Sequence, residues 1–293
     1  MKITPTCVPC LVNRVIFETS QSTNNKDVET KVIKSTCKML SELYNPNECS
    51  AVIATNVHKK VYEILGNDDP YKELKSESNH IASSLVPIII KKINDSDNPL
   101  KTAMLVSIVG NTMDFGIKGA SKNPEELKNV FNQIFNEGIA YDDTEKLISS
   151  LKNCKSIIFF TDNCGEIVFD KILCEQIKKT FPKLRIHVVV KGEPVLSDAT
   201  VEDAKELGFD EVVDNVFTTG GFAVGVDLSL LPEEVIEKMK KSDLFVCKGM
   251  ANYESFSETS IRPIVYLLRS KCKPIASSMK VSVHANIVKL YEK

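Results

Sequence analysis

Asp162, Asn163 and Glu166 lie close together, directly behind the apolar run Ser156-Ile157-Ile158-Phe159-Phe160-Thr161. Ile157 to Phe160 carry β-branched and aromatic side chains with no Gly or Pro among them, the pattern of a buried strand. Gly165 follows the polar pair, and Ile167 to Lys178 have apolar residues at helical spacing. A strand that ends on Asp-Asn and passes into a helix sets two oxygen-bearing side chains at its carboxyl end. In an open parallel sheet that edge is where ligands bind.

The pattern repeats along the chain. Lys191-Gly192-Glu193-Pro194 and then Asp198 follow a strand predicted at Arg185–Val190. Asp214-Asn215 and the Gly-rich stretch Thr218–Asp227 follow one predicted at Glu211–Val213. Lys248-Gly249-Met250-Ala251-Asn252-Tyr253-Glu254 follow one predicted at Leu244–Cys247. Taken singly, Asp198 could cap a helix, Lys-Gly could be a solvated turn, and Asp-Asn is a turn dipeptide. Taken together, they put carboxylates, amides and two lysines at one edge of one sheet and predict a shared site.

The residue types indicate the chemistry. Asp162, Asn163 and Asp198 are hard oxygen donors without imidazole or thiolate, which suits Mg²⁺ or Mn²⁺ better than Zn²⁺. Lys191 and Lys248 are point charges suited to phosphate oxygens. The Gly220–Gly225 loop can bring backbone N–H groups close to an anion. No Gly-Lys-Ser/Thr follows that loop and no GxGxxG follows the first strand, so neither nucleotide fingerprint is present. A metal with anion donors and no nucleotide loop points to hydrolysis of a phosphoryl group on a small substrate. Asp162 is either a nucleophile or a ligand. Glu166 either orients a water or a ligand, or makes a plain salt bridge.

Asn111 and Asp114 stand in Gly110-Asn111-Thr112-Met113-Asp114-Phe115-Gly116, which reads either as a close backbone approach with side chains turned to a ligand or as a turn-rich loop. Cys7-Val8-Pro9-Cys10 could be half of a zinc site, a redox pair, or incidental. The nine cysteines are an odd number, mostly scattered through apolar segments, as buried free thiols in a reducing compartment would be. None of the four histidines has metal spacing to another.

The elements that must position these residues fall into two parts. Residues 1–150 read as a helical domain, with faces such as Val28, Val32, Cys37, Leu40 and Ala54, Val57, Val61, Ile64. A helix opening near Asp69-Pro70 is predicted to bend or break at Pro87. No strand is predicted before residue 150. Residues 151–293 alternate apolar strands with helical stretches, the signature of a Rossmann-like α/β domain with a mostly parallel sheet. A last strand is predicted at Pro274–Ala276. Helices are predicted at Ile167–Lys179, Ala199–Leu207, Pro232–Lys240 and Ile261–Arg269.

Composition narrows the partners. The chain has 293 residues, 43% hydrophobic and 26% charged, with net charge -2 and pI near 6.2. No basic excess favours nucleic acid or an anionic membrane. No apolar run approaches the roughly 18 residues of a membrane span. Met1-Lys2-Ile3-Thr4-Pro5 lacks the apolar core of a secretory signal, so a cytoplasmic protein is expected.

Several of these motifs, in this order, resemble the DUF89 family, also called damage-control phosphatases or the ARMT1-like family. They are Gly110-Asn111-x-x-Asp114-Phe115-Gly116, Asp162-Asn163-x-Gly165-Glu166, Lys191-Gly192-x-Pro194-x-x-x-Asp198-Ala199 and Lys248-Gly249-x-x-Asn252-Tyr253-Glu254. The length and Cys7-x-x-Cys10 resemble its stand-alone microbial branch. The resemblance implies a helical N-terminal region on a Rossmann-like domain and a divalent-metal-dependent phosphomonoester hydrolase (Mn²⁺, Ni²⁺, Co²⁺ or Mg²⁺). Its substrates would be small phosphometabolites, sugar phosphates or damaged forms of metabolites. By motif match, Asp162, Asn163 and Asp198 take metal-ligand positions. Lys248, Asn252 and Tyr253 take substrate-phosphate positions, and Asn111 and Asp114 line the same cleft. Met250-Ala251 and Glu254 depart from the eukaryotic pattern around Asn-Tyr. A protein-carboxyl methyltransferase activity, attached to one branch, ranks low because no glycine-rich loop follows the first strand to hold a methyl donor. The competing readings are a non-enzymatic metal or phosphometabolite-binding protein and a zinc or redox protein centred on Cys7 and Cys10.

Overall fold

The computed structural model describes residues 1–111 and 124–292, with side chains left out at 124–128. Five helices come first: α1 (Cys7–Ser22), α2 (Lys26–Leu43), α3 (Ser50–Leu65), α4 (Lys72–Asn94) and α5 (Pro99–Gly110). Then follow α6 (Pro124–Asn136), β1 (Tyr141–Asp142), α7 (Thr144–Asn153), β2 (Ser156–Phe160), α8 (Glu166–Thr180), β3 (Arg185–Val190), α9 (Val201–Glu206) and β4 (Asn215–Thr218). The chain continues through α10 (Glu233–Lys241), β5 (Leu244–Lys248), α11 (Gly249–Phe256), β6 (Ile264–Arg269), α12 (Lys273–Met279) and β7 (Asn286–Tyr291).

The strands form one seven-stranded sheet in the order β1-β7-β6-β5-β2-β3-β4. All pairs are parallel except β6 with β7. The chain leaves β2 toward β3 and β4, then returns on the other side of β2 at β5 and β6. The order therefore reverses between β2 and β5, and a crevice outside the carboxyl ends at such a point is the expected ligand site.

Every residue of β2 is buried because both faces of the sheet are covered. Ile157 and Phe159 join one core with Met104, Ile108, Phe169 and Leu173, which come from α5 and α8. Ile158 and Phe160 join the other with Tyr253, Phe256 and Ile275, from α11 and α12. A smaller cluster of Val15, Val32, Leu40, Ile53 and Val57 ties α1, α2 and α3 together. At Gly110 a Cβ would stand 2.6 Å from the Phe169 ring, so the glycine lets the end of α5 lie directly on α8.

Several elements differ from the sequence reading. α4 runs unbroken through Pro87. Burial of Ile81, Leu85, Ile89 and Ile93 on its inner face, at about 1.5–3 kcal/mol each, outweighs the roughly 3 kcal/mol a mid-helix proline costs. Tyr141–Asp142 pairs with β7 as a short edge strand. Glu211 ends a 3₁₀ turn and β4 begins at Asn215, so Asp214 lies at the amino end of its strand, opposite the site. There it accepts from Lys178 Nζ at 2.5 Å and Ile186 N at 2.9 Å. Ile264–Arg269 is a strand rather than a helix, all six residues buried, so no alternation marks it. Lys273–Met279 is a helix rather than a strand, with Pro274 in the first turn where a missing N–H costs nothing. α9 starts at Val201, capped by Thr200 and Asp203, which leaves Asp198 in the turn before it.

Candidate active site

The turn after β2 and the start of α11 after β5 meet at the reversal point. Gly249 has φ +72°, and a Cβ there would overlap the Asp162 carboxylate. Only glycine lets the backbone pass so close to that side chain. Asn252, on the first turns of α11, donates to Thr161 O and to Lys248 O, both at 2.8 Å, and so ties the end of β2 to the end of β5.

The turn that carries Asp198 is stapled onto the same place. Asn163 and Asp198 form an isolated antiparallel bridge. Ala199 N donates to Asp162 O at 2.8 Å, Cys164 N to Ser197 O at 2.8 Å, and Ser197 Oγ to Asn163 Oδ1 at 2.8 Å. Asp162, Asn163 and Asp198 are thus brought together, and all three are buried.

A hydrogen-bonded chain runs from this cluster into the core. Asp162 Oδ2 accepts from Asn163 Nδ2 at 2.7 Å and from Asn111 Nδ2 at 2.9 Å. Asn111 Nδ2 also donates to Glu166 Oε2. Glu166 Oε1 lies 2.5 Å from Lys248 Nζ, which also donates to Asp170 Oδ1 at 2.7 Å and Ser107 O at 3.1 Å. Ser107 Oγ in turn donates to Asp170 Oδ1 at 2.6 Å.

Both lysines of the sequence reading are engaged inside the protein. Lys248 is 0% exposed and all three of its donors have acceptors. Lys191 donates to Ala223 O and Gly225 O and stands 3.2 Å from Asp198 Oδ2. The glycine-rich loop therefore offers carbonyls to Lys191, while its Val224 and Val226 N–H groups bond Thr55 Oγ1 and Ser255 Oγ, both at 2.9 Å. Tyr253 turns away: its hydroxyl bonds Ser278 Oγ at 2.8 Å and its ring lies edge-on to Tyr266. Asp114 lies outside the described residues.

Lys271 is a residue beside this cluster that the sequence reading missed. It sits between β6 and α12, half-buried, and its ammonium donates to Asn111 O at 2.6 Å. Its charge reaches Asp162. Tyr62 and Asn79, from the helical segment, also touch the site turns. Tyr62 Oη accepts from Leu196 N at 3.0 Å and Asn79 Oδ1 from Gly165 N at 2.6 Å.

The electrostatics follow from burial. Asp162 is held well above the usual carboxylate range by burial, then by the charges of Asp198 and Glu166; Lys271 and Lys191 oppose the shift. Burial pushes Asp170 up to about 6, against the pull of Lys248. Burial alone would lower the Lys248 ammonium, but Asp170 and Glu166 hold it above its ordinary value. The Cys164 thiol is raised by burial first and by Asp203, which disfavours the thiolate a metal needs.

Crowded carboxylates of this kind are what a divalent cation relieves. Asp162, Asp198 and the Asn163 amide oxygen, which accepts from Ser197 Oγ, would supply the all-oxygen donors a hard ion takes. Among the described residues, no three His, Cys, Asp or Glu side chains are grouped to hold a metal ion, so the third protein donor here would be the amide. All nine cysteines are free thiols, Cys7 and Cys10 included.

The sheet, its reversal point and this acidic, lysine-braced turn define an α/β protein with buried carboxylates gathered at the strand ends. The profile of the damage-control phosphatase ARMT1-like domain matches residues 3–287, and the chain belongs to that family, also known as DUF89. It is similar to a damage-control phosphatase of Archaeoglobus fulgidus, 40% identical over 100% of both chains. It is also similar to the damage-control phosphatase PH1575 of Pyrococcus horikoshii, 31% identical over 96% of this chain and 95% of that one. The crystal structure of PH1575, described as a DUF89 family protein, superposes with a TM-score of 0.90 over 100% of both chains. Among the described residues, no helix is long and apolar enough to cross a membrane.

Proposed function

We propose that this chain is a divalent-metal-dependent phosphatase of small phosphorylated metabolites, such as sugar phosphates or damaged metabolite phosphates. The observation that carries the reading is the meeting of Asp162, Asn163 and Asp198 at the reversal between β2 and β5. The names of the relatives support the same reaction class.

Asp162, Asn163 and Asp198 would hold the ion. Bound there, Mg²⁺, Mn²⁺, Co²⁺ or Ni²⁺ supplies Lewis-acid charge to a phosphoryl oxygen. Asn111 and Asn163 fix Asp162 Oδ2 by their amides, which sets the direction of its other oxygen. Lys271, half-buried beside Asn111, is the cation placed to meet a phosphate oxygen. The amino end of α11 presents backbone N–H groups behind Gly249, and such an end favours an anion. Lys248 acts through Glu166 and Lys191 through Asp198, as positioning residues rather than phosphate donors. Asn252 holds the two strand ends together, and Glu166 braces Asn111.

The test is phosphate release from an aryl phosphate and a panel of sugar phosphates, with each metal and after chelation. Metal-dependent release is the expected result. A protein that binds Mn²⁺ yet turns over no phosphate ester would instead be a binding module.

A further inference from the structure

The turn that carries Asp198 contains a backbone conformation its sequence does not favour. Asp198 N donates to Val195 O at 3.1 Å and closes a reverse turn whose first corner is Leu196. Leu196 has φ +50°, in the left-handed region where glycine or asparagine is usual. Such a corner persists only where its surroundings over-determine it. On one side Leu196 packs against a small apolar cluster of Ala54, Tyr62, Val195, Phe222 and Val224. On the other its N–H donates to Tyr62 Oη at 3.0 Å.

Tyr62 is well placed to hold it. It comes from α3, is 5% exposed, and meets Phe222 edge-on with ring centroids 5.3 Å apart. Burial keeps its phenol protonated, raised further by Glu18. Beyond the corner, Ser197 and Ala199 bond Asn163, Cys164 and Asp162. One turn therefore separates the Tyr62 hydroxyl from the Asp162–Asp198 pair.

We infer that Tyr62 is a positioning residue for Asp198, its hydroxyl locking Leu196 in the left-handed corner so that the Asp198 carboxylate faces Asp162. The inference rests on the reading of Asp162, Asn163 and Asp198 as the cation site. Removing the hydroxyl while keeping the ring leaves the packing with Phe222 in place. It takes away only the acceptor of the Leu196 N–H, so the corner relaxes and Asp198 moves with it.

The experiment is Tyr62→Phe on the full chain with two readouts. The first is backbone hydrogen exchange of residues 195–199 in the metal-free protein. Exchange should be faster in the variant by about tenfold, while the helices keep their protection. Equal exchange in the two proteins overturns the inference. The second is Mn²⁺ affinity, with kcat and KM measured at limiting and saturating Mn²⁺. The affinity should fall about 10–100-fold, the range for loss of a group that orients a ligand. The kcat should return toward the wild-type value at saturating metal, a recovery that general loosening of the fold would not show. An unchanged Mn²⁺ affinity in the variant also overturns the inference. A wild-type protein that binds no Mn²⁺ would defeat the cation-site reading instead, and the exchange result would still decide what Tyr62 does to the turn.

Discussion

Asn111 Nδ2 stands 2.9 Å from Asp162 Oδ2 and donates to Glu166 as well, so one amide at the end of α5 bridges two buried carboxylates. Asp162 and Glu166 repel each other, and the Glu166 charge adds to the burial and the Asp198 charge that make Asp162 costly to ionise. A neutral donor between them reduces that repulsion without adding a competing positive charge. The helical segment thereby reaches the edge of the sheet and takes part in the site.

Asp162→Asn separates function from stability. The substitution keeps the shape and removes one of the crowded charges. Phosphatase activity should fall by at least about 100-fold, since the cation loses a carboxylate. The metal-free protein should be at least as stable as wild type in urea denaturation, because the lost charge was repelled by Asp198 and Glu166. A variant that keeps wild-type activity would remove Asp162 from the mechanism.

The β2–α8 corner was legible because a fully buried strand and an Asp-Asn pair announce themselves in sequence. Lys271 was hidden for a physical reason. It joins β6 to α12, and the sequence reading placed a helix and a strand there in the reverse order. β6 is buried on both faces and shows no period, while Pro274 masks the opening of a helix. Asp170 and Ser107 were not legible either. They are buried polar residues on helix faces, and only the packing of α5 on α8 brings them to Lys248. The lysines at the strand ends were located by sequence, but only the structure gives their acceptors.

Two glycines with similar backbones should behave differently. Gly249 has φ +72° and no room for a Cβ against Asp162; Gly138 has φ +70° and nothing within 4 Å. Gly138→Ala should cost only the left-handed backbone, about 1–2 kcal/mol, with activity retained. Gly249→Ala should cost more and should abolish metal-stimulated turnover, because either the Asp162 carboxylate or α11 must move. Denaturant midpoints and kcat/KM on the two variants would check this. Equal effects would mean that the close approach at Gly249 does not matter.

Asp170 predicts a pH slope in stability. Its folded-state carboxyl titrates at about 6, against roughly 3.9 in an unfolded chain. Between those values the folded state binds more protons, so this group's contribution is most favourable below about pH 4 and declines as pH rises to about 6. Asp170→Asn removes the titration, and the difference in unfolding free energy across that window should shrink. Denaturation at the two ends of the window, in wild type and variant, measures it. A slope of the same size in both proteins would show that Asp170 does not titrate there.

Lys271→Gln distinguishes a phosphate-binding lysine from a ligand-supporting one by the sign of two effects. Its ammonium donates to Asn111 O, and its charge favours the ionised form of Asp162. A cation beside a cation site opposes metal binding, so removing it should leave Mn²⁺ affinity unchanged or tighter. A cation that meets phosphate helps the substrate, so the same change should raise KM or lower kcat/KM by about tenfold, the scale of one lost charge-assisted hydrogen bond. A lower kcat/KM with Mn²⁺ affinity unchanged or tighter is the expected signature. If Mn²⁺ affinity falls together with kcat/KM, Lys271 serves through Asn111 and Asp162 as a structural support, and the phosphate must be met elsewhere.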